Sequence, residues 1–289
     1  MKAASGGIGA AAGSFTMKVD GLPNESDVVN ALAGYPKVGG YELRVAVGGS
    51  VLPAGISRAA GIAGTNLGHG AVSAQGLQDA GFDDITLSSQ NTIAFDAGAN
   101  LGPRRSLVLE APRLTAAGPT TVAAEYLKWS NGRQTLSTTT DGGGVASSGN
   151  GRINFTAGLL DLVGDLVLGN IGQASFSTDS DIRFQSAYFN VNNLLQRTGR
   201  LDAAADLVFA ADQLYPTTFS KFSVSTPGRA VTFTKGADAA ELPLSANGSL
   251  TVEARDIVQG GVLRAPFGNI SLKASNQLDL LAGSVTSVS

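Results

Sequence analysis

The chain has 289 residues, only 15 % of them charged, and a formal net charge of −3. Its Lys and Arg residues are dispersed, so it lacks the electrostatic footprint of a nucleic-acid or anionic-membrane binder. Cysteine is absent, which excludes disulfides, thiolate metal sites and cysteine nucleophiles. The 38 glycines, with abundant Ala, Ser, Thr, Leu and Val, point to many turns and short strands rather than a helical bundle. No run approaches the ~18 consecutive apolar residues of a membrane span. The opening "MKAASGGIGAAAGSF" is too weakly apolar for a signal-peptide core.

Residues 1–40 read as an irregular segment. Within it "LPNESDVVNALAGYPKVGG" (22–40) suggests a short helix, with Ser26 as its cap, Gly34 at its end and Pro36 preventing continuation. From residue 41 onward one pattern returns: a turn residue, then apolar, polar, apolar. It occurs at Ile85–Leu87, Ile93–Phe95, Leu107–Leu109, Ile153–Phe155 and Leu166–Leu168, and continues at Ile182–Phe184, Leu207–Phe209 and Phe222–Val224. Val231–Phe233, Leu250–Val252, Ile270–Leu272 and Leu278–Leu280 complete the series. Period-two alternation over so few residues, bounded by Gly, Asn, Asp or Pro, describes short half-buried strands. Two stretches interrupt it. "NGRQTLSTTTDGGGVASSGNG" (131–151) reads as an exposed polar loop, and 190–213 as a loop followed by a strand at 207–211, in preference to a helix.

The strands recur at about twenty residues. "GSLTVEA" (248–254) returns as "GNISLKA" (268–274), with glycine, alanine and both apolar positions kept. A coil of that length cannot bury its apolar side alone, but coils stacked ~4.8 Å apart bury a continuous core. The expected fold is therefore all-β, a right-handed parallel β-helix over 41–289 with polar loop insertions and about ten coils. Leu250 should lie over Ile270, Val252 over Leu272 and Ala254 over Ala274, all inward, with Glu253 and Lys273 outside. No six-residue period and no Gly-Gly-x-Gly-x-Asp repeat is present, which excludes the left-handed hexapeptide helix and the calcium-binding roll.

Little in the sequence carries chemistry. The single histidine, His69 in "GTNLGHGAV", is expected in a solvated turn, so a histidine base or a His-rich metal site has no material. Gly142–Gly144 has no strand before it and no lysine after it, unlike a phosphate-cradling loop. Polysaccharide-cleaving β-helices set carboxylates on one exposed face, which singles out Asp83 with Asp84, Asp161 with Asp165, and Asp179 with Asp181. Asp83 and Asp84 should end a turn. Asp161 and Asp165 should start strands on either side of one, and Asp179 with Asp181 lacks enough oxygen ligands for calcium. Phe95, Phe155, Phe184, Phe209 and Phe233 fall at inward positions. Trp129 is read either as core-edge packing or as an exposed contact for a partner. The reading is of a non-enzyme without catalytic residues, metal or cofactor.

The segments "GFDDITLSSQNTIAFDAGANLGPRRSLVLEAPRL" (81–114) and "LPLSANGSLTVEARDIVQGGVLRAPFGNISLKASNQLDLLAGSVTSVS" (242–289) resemble the large filamentous haemagglutinin family of Gram-negative outer-membrane exoproteins. "YPTTFSKFSV" adds to the likeness, which spans most of 64–289. The resemblance implies two-partner secretion through a dedicated outer-membrane transporter. It implies a β-helical stalk or adhesin at the cell surface, monomeric, facing a host or neighbouring-cell receptor or glycan. Neither the Asn-Pro-Asn motif of the family's secretion domain nor the Val-Glu-Asn-Asn motif that often precedes a toxin is present, so the chain is expected to be an internal segment or a fragmentary reading frame. The competing expectations are a β-helix polysaccharide lyase or hydrolase and a phage tail-spike shaft.

Overall fold

A computed structural model describes residues 12–20, 40–49, 68–131, 144–191 and 194–289, with 188–191 and 194–198 as backbone only. The helix expected within 22–40 lies outside the described residues, apart from Gly40 itself, which is not helical. Strands, numbered in chain order, form three walls around one core. Wall a stacks β1 (Ser14–Val19), β4 (Asp84–Ser89), β6 (Ser106–Glu110), the second halves of β8 (Pro119–Ser130) and β9 (Gly151–Val163), β12 (Asp181–Gln185), β17 (Gln213–Pro216), β20 (Val262–Arg264) and β22 (Val285–Ser287). Wall b stacks β3 (His69–Ser73), β2 (Glu42–Ala46), β5 (Thr92–Phe95), β7 (Arg113–Ala116), β10 (Asp165–Gly169), β15 (Arg200–Asp202) and the first halves of β18 (Lys221–Lys235), β19 (Ser249–Gly260) and β21 (Asn269–Leu280). Wall c begins at the isolated bridge between Leu101 and Val122. It continues through the first halves of β8 and β9, β11 (Ile171–Thr178), β16 (Asp206–Ala211) and the second halves of β18, β19 and β21.

Every one of these pairings is parallel, and the chain passes repeatedly from a to b to c. This is a parallel β-helix. Nine rungs on wall a span about 38 Å at ~4.8 Å per rung, slightly fewer than the ten coils expected. The ladder also starts at Ser14, upstream of the boundary placed at residue 41.

The register of the repeated segment is the expected one: Leu250 pairs with Ile270, Val252 with Leu272 and Ala254 with Ala274. Because side chains alternate across a strand, this register sends one apolar set inward on every rung. The result is a continuous core from Leu43 to Leu263. Burying each Leu or Ile fully contributes about 1.5–3 kcal/mol.

Aromatic side chains form a column within that core. Trp129, Phe155, Phe176, Phe209 and Phe233 are fully buried, with successive ring centroids 6.1, 4.9, 4.8 and 5.4 Å apart and near-parallel planes. Trp129 therefore belongs to the core and is not an exposed residue; its indole N–H donates to the Ala111 carbonyl. The column closes on Gln259, which is completely buried beside Phe233 in register. Its amide nitrogen donates to the carbonyls of Gly261 and Val285, and its oxygen accepts from the Gly261 N–H. A buried amide is tolerated there because its polar atoms are paired.

Two interruptions leave wall a at a corner. The chain departs wall a at Asn131 and rejoins wall c at Gly151, and β7 pairs directly with β10 across the gap. Of the polar loop expected over 131–151, residues 132–143 lie outside the described residues, and 144–150 contain no strand. Between β12 and β15 the chain makes an antiparallel hairpin, β13 (Ala187–Val191) with β14 (Leu194–Thr198), where a loop was expected. The strand expected at 207–211 is β16. Corners also explain the repeated glycine. A Cβ on Gly268 would fall on the Gly248 carbonyl oxygen of the rung before, so this close approach of two backbones admits no side chain.

Candidate functional site

The carboxylates singled out in the sequence do not converge. Asp83 is buried, accepts from the Ala12 N–H at 2.7 Å, and pairs with Arg104 at 2.7 Å. Asp84 opens β4 and pairs with Arg105 of the next rung while accepting from Ser106 at 2.6 Å. These contacts, led by the arginine hydrogen bonds, hold both carboxyls below the usual carboxylate range. Asp165 begins β10 on wall b, as expected, but Asp161 does not begin a strand. It lies deep in the second half of β9, on wall a. Asp179 precedes β12 and Asp181 is its first residue. His69 is exposed, but it starts β3 opposite Glu42 instead of sitting in a turn.

Asp161 is the centre of the most organised polar cluster. The register sets Lys128, Asp161, Arg183 and Tyr215 on successive rungs of wall a, all at outward positions. Arg183 grips Asp161 with Nε at 2.6 Å and a second nitrogen at 2.7 Å, and the Tyr126 hydroxyl donates to the same carboxylate at 2.8 Å. The two-point fit of a planar guanidinium to a carboxylate is a strong, oriented contact. Asp161 is 3 % exposed even though its position faces outward. Its hydrogen bond holds Arg183 above its ordinary range, outweighing the opposing effect of burial. Burial, aided by Asp161, raises the Tyr126 hydroxyl to about 12; burial, aided by Asp181, does the same for Tyr215. Both phenols therefore stay protonated at neutral pH.

The arrangement fixes what the cluster does chemically. Both oxygens of Asp161 are occupied by donors, so it accepts a substrate proton only by giving up Arg183. Tyr126 and Tyr215 are poor bases because their anions are disfavoured. The cluster is a brace across rungs, joining β8, β9, β12 and β17. Sequence reading missed it because Tyr126 and Arg183 are 57 positions apart, and only the register brings them together on one carboxylate. The same device recurs at Arg44 with Asp96 and at Lys273 with Glu253, each at 2.7 Å.

Among the described residues, several hollows flank the walls. One of about 380 Å³ lies between the helix α1 (Ala74–Ala80) and the Asp83–Arg104 pair. The helix is capped by Ser73, whose side chain accepts from the Gly76 N–H, and ends at Gly81 in a left-handed conformation. A shallower groove of about 530 Å³ on wall b is lined by Asp165, Arg200, Lys221, Ser223, Ser249 and Thr251. Among the described residues no group of three or more His, Asp or Glu is placed to hold a metal ion, and no helix is long and apolar enough to cross a membrane.

Comparison with known proteins finds no family model, no curated protein and no solved structure that matches this chain.

Proposed function

We propose that the chain is a structural and adhesive segment of a secreted bacterial exoprotein of the filamentous haemagglutinin type, serving as stalk or adhesin at the Gram-negative cell surface. The observation that supports this most is the nine-rung stack itself. Its inside is tied by an aromatic column and its outside by ion pairs between rungs. Such a rod needs neither disulfide nor metal to be stiff. Because each coil touches only its neighbours, a chain emerging unfolded from an outer-membrane transporter folds coil by coil as it appears. The outer walls and corner insertions are then the surfaces offered to a receptor or glycan.

The test is localisation in the source bacterium. Antibodies raised against 144–289 should label intact cells, and deletion of an adjacent outer-membrane transporter gene should abolish the label. Protein confined to the cytoplasm overturns the reading. A second reading, a β-helix polysaccharide lyase or hydrolase, is favoured by the wall-b groove, which brings Asp165 beside Arg200 and Lys221. Turnover of pectate, alginate or dextran that is lost on Asp165→Asn would replace the first reading with the second.

A further inference from the structure

One corner of the rod repeats a single backbone conformation on three successive rungs. Phe219, Asn247 and Phe267 stand two residues before β18, β19 and β21, at the approach to wall b, with φ of +56°, +55° and +55°. The Phe219 N–H donates to the Ala246 carbonyl, that of Asn247 to Pro266 and that of Phe267 to Val288, so each has the next rung in place beside it. This left-handed conformation suits glycine and asparagine and penalises a bulky side chain. Asn247 meets that preference, as does Asn170 at another corner, but Phe219 and Phe267 do not. Burial does not compensate, for Phe219 is 58 % exposed and Phe267 83 %. Neither packing nor backbone preference accounts for these two rings, which points to a use outside the fold.

We propose that this corner binds an extended, neutral glycan chain lying along the axis of the rod, with Phe219 and Phe267 each meeting the apolar face of one sugar ring. The two occupy equivalent positions two rungs apart, or ~10 Å, close to the length of two pyranose units in an extended β-linked chain. Between and beside them stand Asn247 and Asn269, both exposed, whose carboxamides bond to no other group among the described residues. An amide both donates and accepts, as the hydroxyls of a sugar require. No charged residue occurs in 216–220, 243–249 or 265–272, so the corner matches an uncharged ligand.

A lipid surface suits the corner less. Leu242 and Leu244 are exposed in the segment leading to Asn247, but 236–249 contains no lysine or arginine to meet anionic headgroups. The aromatic pair and the amides instead supply both halves of sugar recognition, a surface for the apolar face and partners for the hydroxyls. The proposal rests on the adhesive part of the proposed function and names its ligand class. Binding by the purified chain and display on cells are separate measurements, so either can fail alone.

In calorimetric titration the purified chain should bind cellohexaose or N-acetylchitohexaose at least ~tenfold more tightly than the corresponding disaccharide, which cannot span both rings. Phe219→Asn and Phe267→Asn place at each corner the residue type found at 247. Each should weaken the hexasaccharide at least ~tenfold, yet unfold at the same or a higher temperature than the parent chain. Leu244→Ser should leave this binding unchanged. Adhesion to phosphatidylcholine vesicles that is lost on Leu244→Ser would instead replace the glycan with a lipid surface. No binding of either hexasaccharide at roughly 5 mM, an affinity indifferent to both phenylalanine variants, or a lower unfolding temperature in both would each overturn the proposal.

Discussion

The coils starting at Gly248 and Gly268 share a sequence and differ in fate. Leu250 and Val252 are completely buried, while Ile270 and Leu272, their register partners, are only half-buried. The apolar positions, the alternation and the corner glycine are kept, so the difference comes from having a neighbour on both sides or on one. In a solenoid the stabilisation of an apolar residue belongs to the interface between coils, not to the coil that carries the residue.

The largest effect should separate these twins. Leu250→Ala should cost about 2–5 kcal/mol, the range for a leucine removed from a closed core. Ile270→Ala should cost less than half as much, read by denaturant unfolding. Equal costs would mean that something covers the last coil in solution.

A second contrast sets the middle of the stack against its last coil. Asp161→Asn removes the charge that Arg183 is held against, and Arg183 is 30 % exposed, so water recovers part of the loss. The expected cost is about 1–3 kcal/mol, below that of a fully buried pair. Hydrogen exchange should quicken across β9 and β12 and remain unchanged in β21. Loss of protection in β21 alone would contradict the brace.

Alkaline pH tests the same brace without mutation. The folded chain holds Tyr126 and Tyr215 at about 12, against ~10 when unfolded. Below pH 10 both states carry the phenol and stability is independent of these groups. Between about 10 and 12 the unfolded state ionises first, so stability falls as pH rises. The unfolding temperature should drop across that window, and less steeply in Tyr126→Phe. Phenolate absorbance should show Tyr126 and Tyr215 titrating late, a late phase that shrinks in Tyr126→Phe.

The smallest effect belongs to the surface pair joining the twin coils. Lys273 and Glu253 are 60 % and 48 % exposed, so Lys273→Glu should cost only ~0.2–1 kcal/mol and be largely masked by salt. A larger loss would place the pair in a drier setting than its exposure implies.

What could be read in advance follows from the range of each signal. The triads, the twenty-residue return and the inward Phe155, Phe209 and Phe233 are local patterns, and local patterns fix which side chains face the core. Asp161 was misread because β9 turns a corner without a break: "AGLLDLVGD" carries no proline or asparagine to mark it, so the acid looked like the start of a strand. The brace needed Arg183 and Tyr126, distant positions that meet only through register. Gln259 defied its own pattern, since alternation sent an amide inward and only the carbonyls of Gly261 and Val285 make that tolerable. The helix α1 gave little warning because its seven residues include Gly76 and complete barely two turns. The hairpin of β13 and β14 lay in a stretch whose alanine and leucine content competed between helix and loop.

The corners carry a consequence for how such a chain can change. Where it leaves the walls, at Asn131 and again after β12, the strands on either side keep their register with neighbouring coils. A loop whose ends are already held together by the stack can lengthen at little cost, since each doubling adds only about 0.6 kcal/mol of closure entropy. Both departures are from wall a toward wall b, two rungs apart, or about 10 Å along the axis. Foreign peptides grafted at these two points would hang from one edge of the rod at a set separation, and a bivalent ligand whose span matched that separation would engage them together.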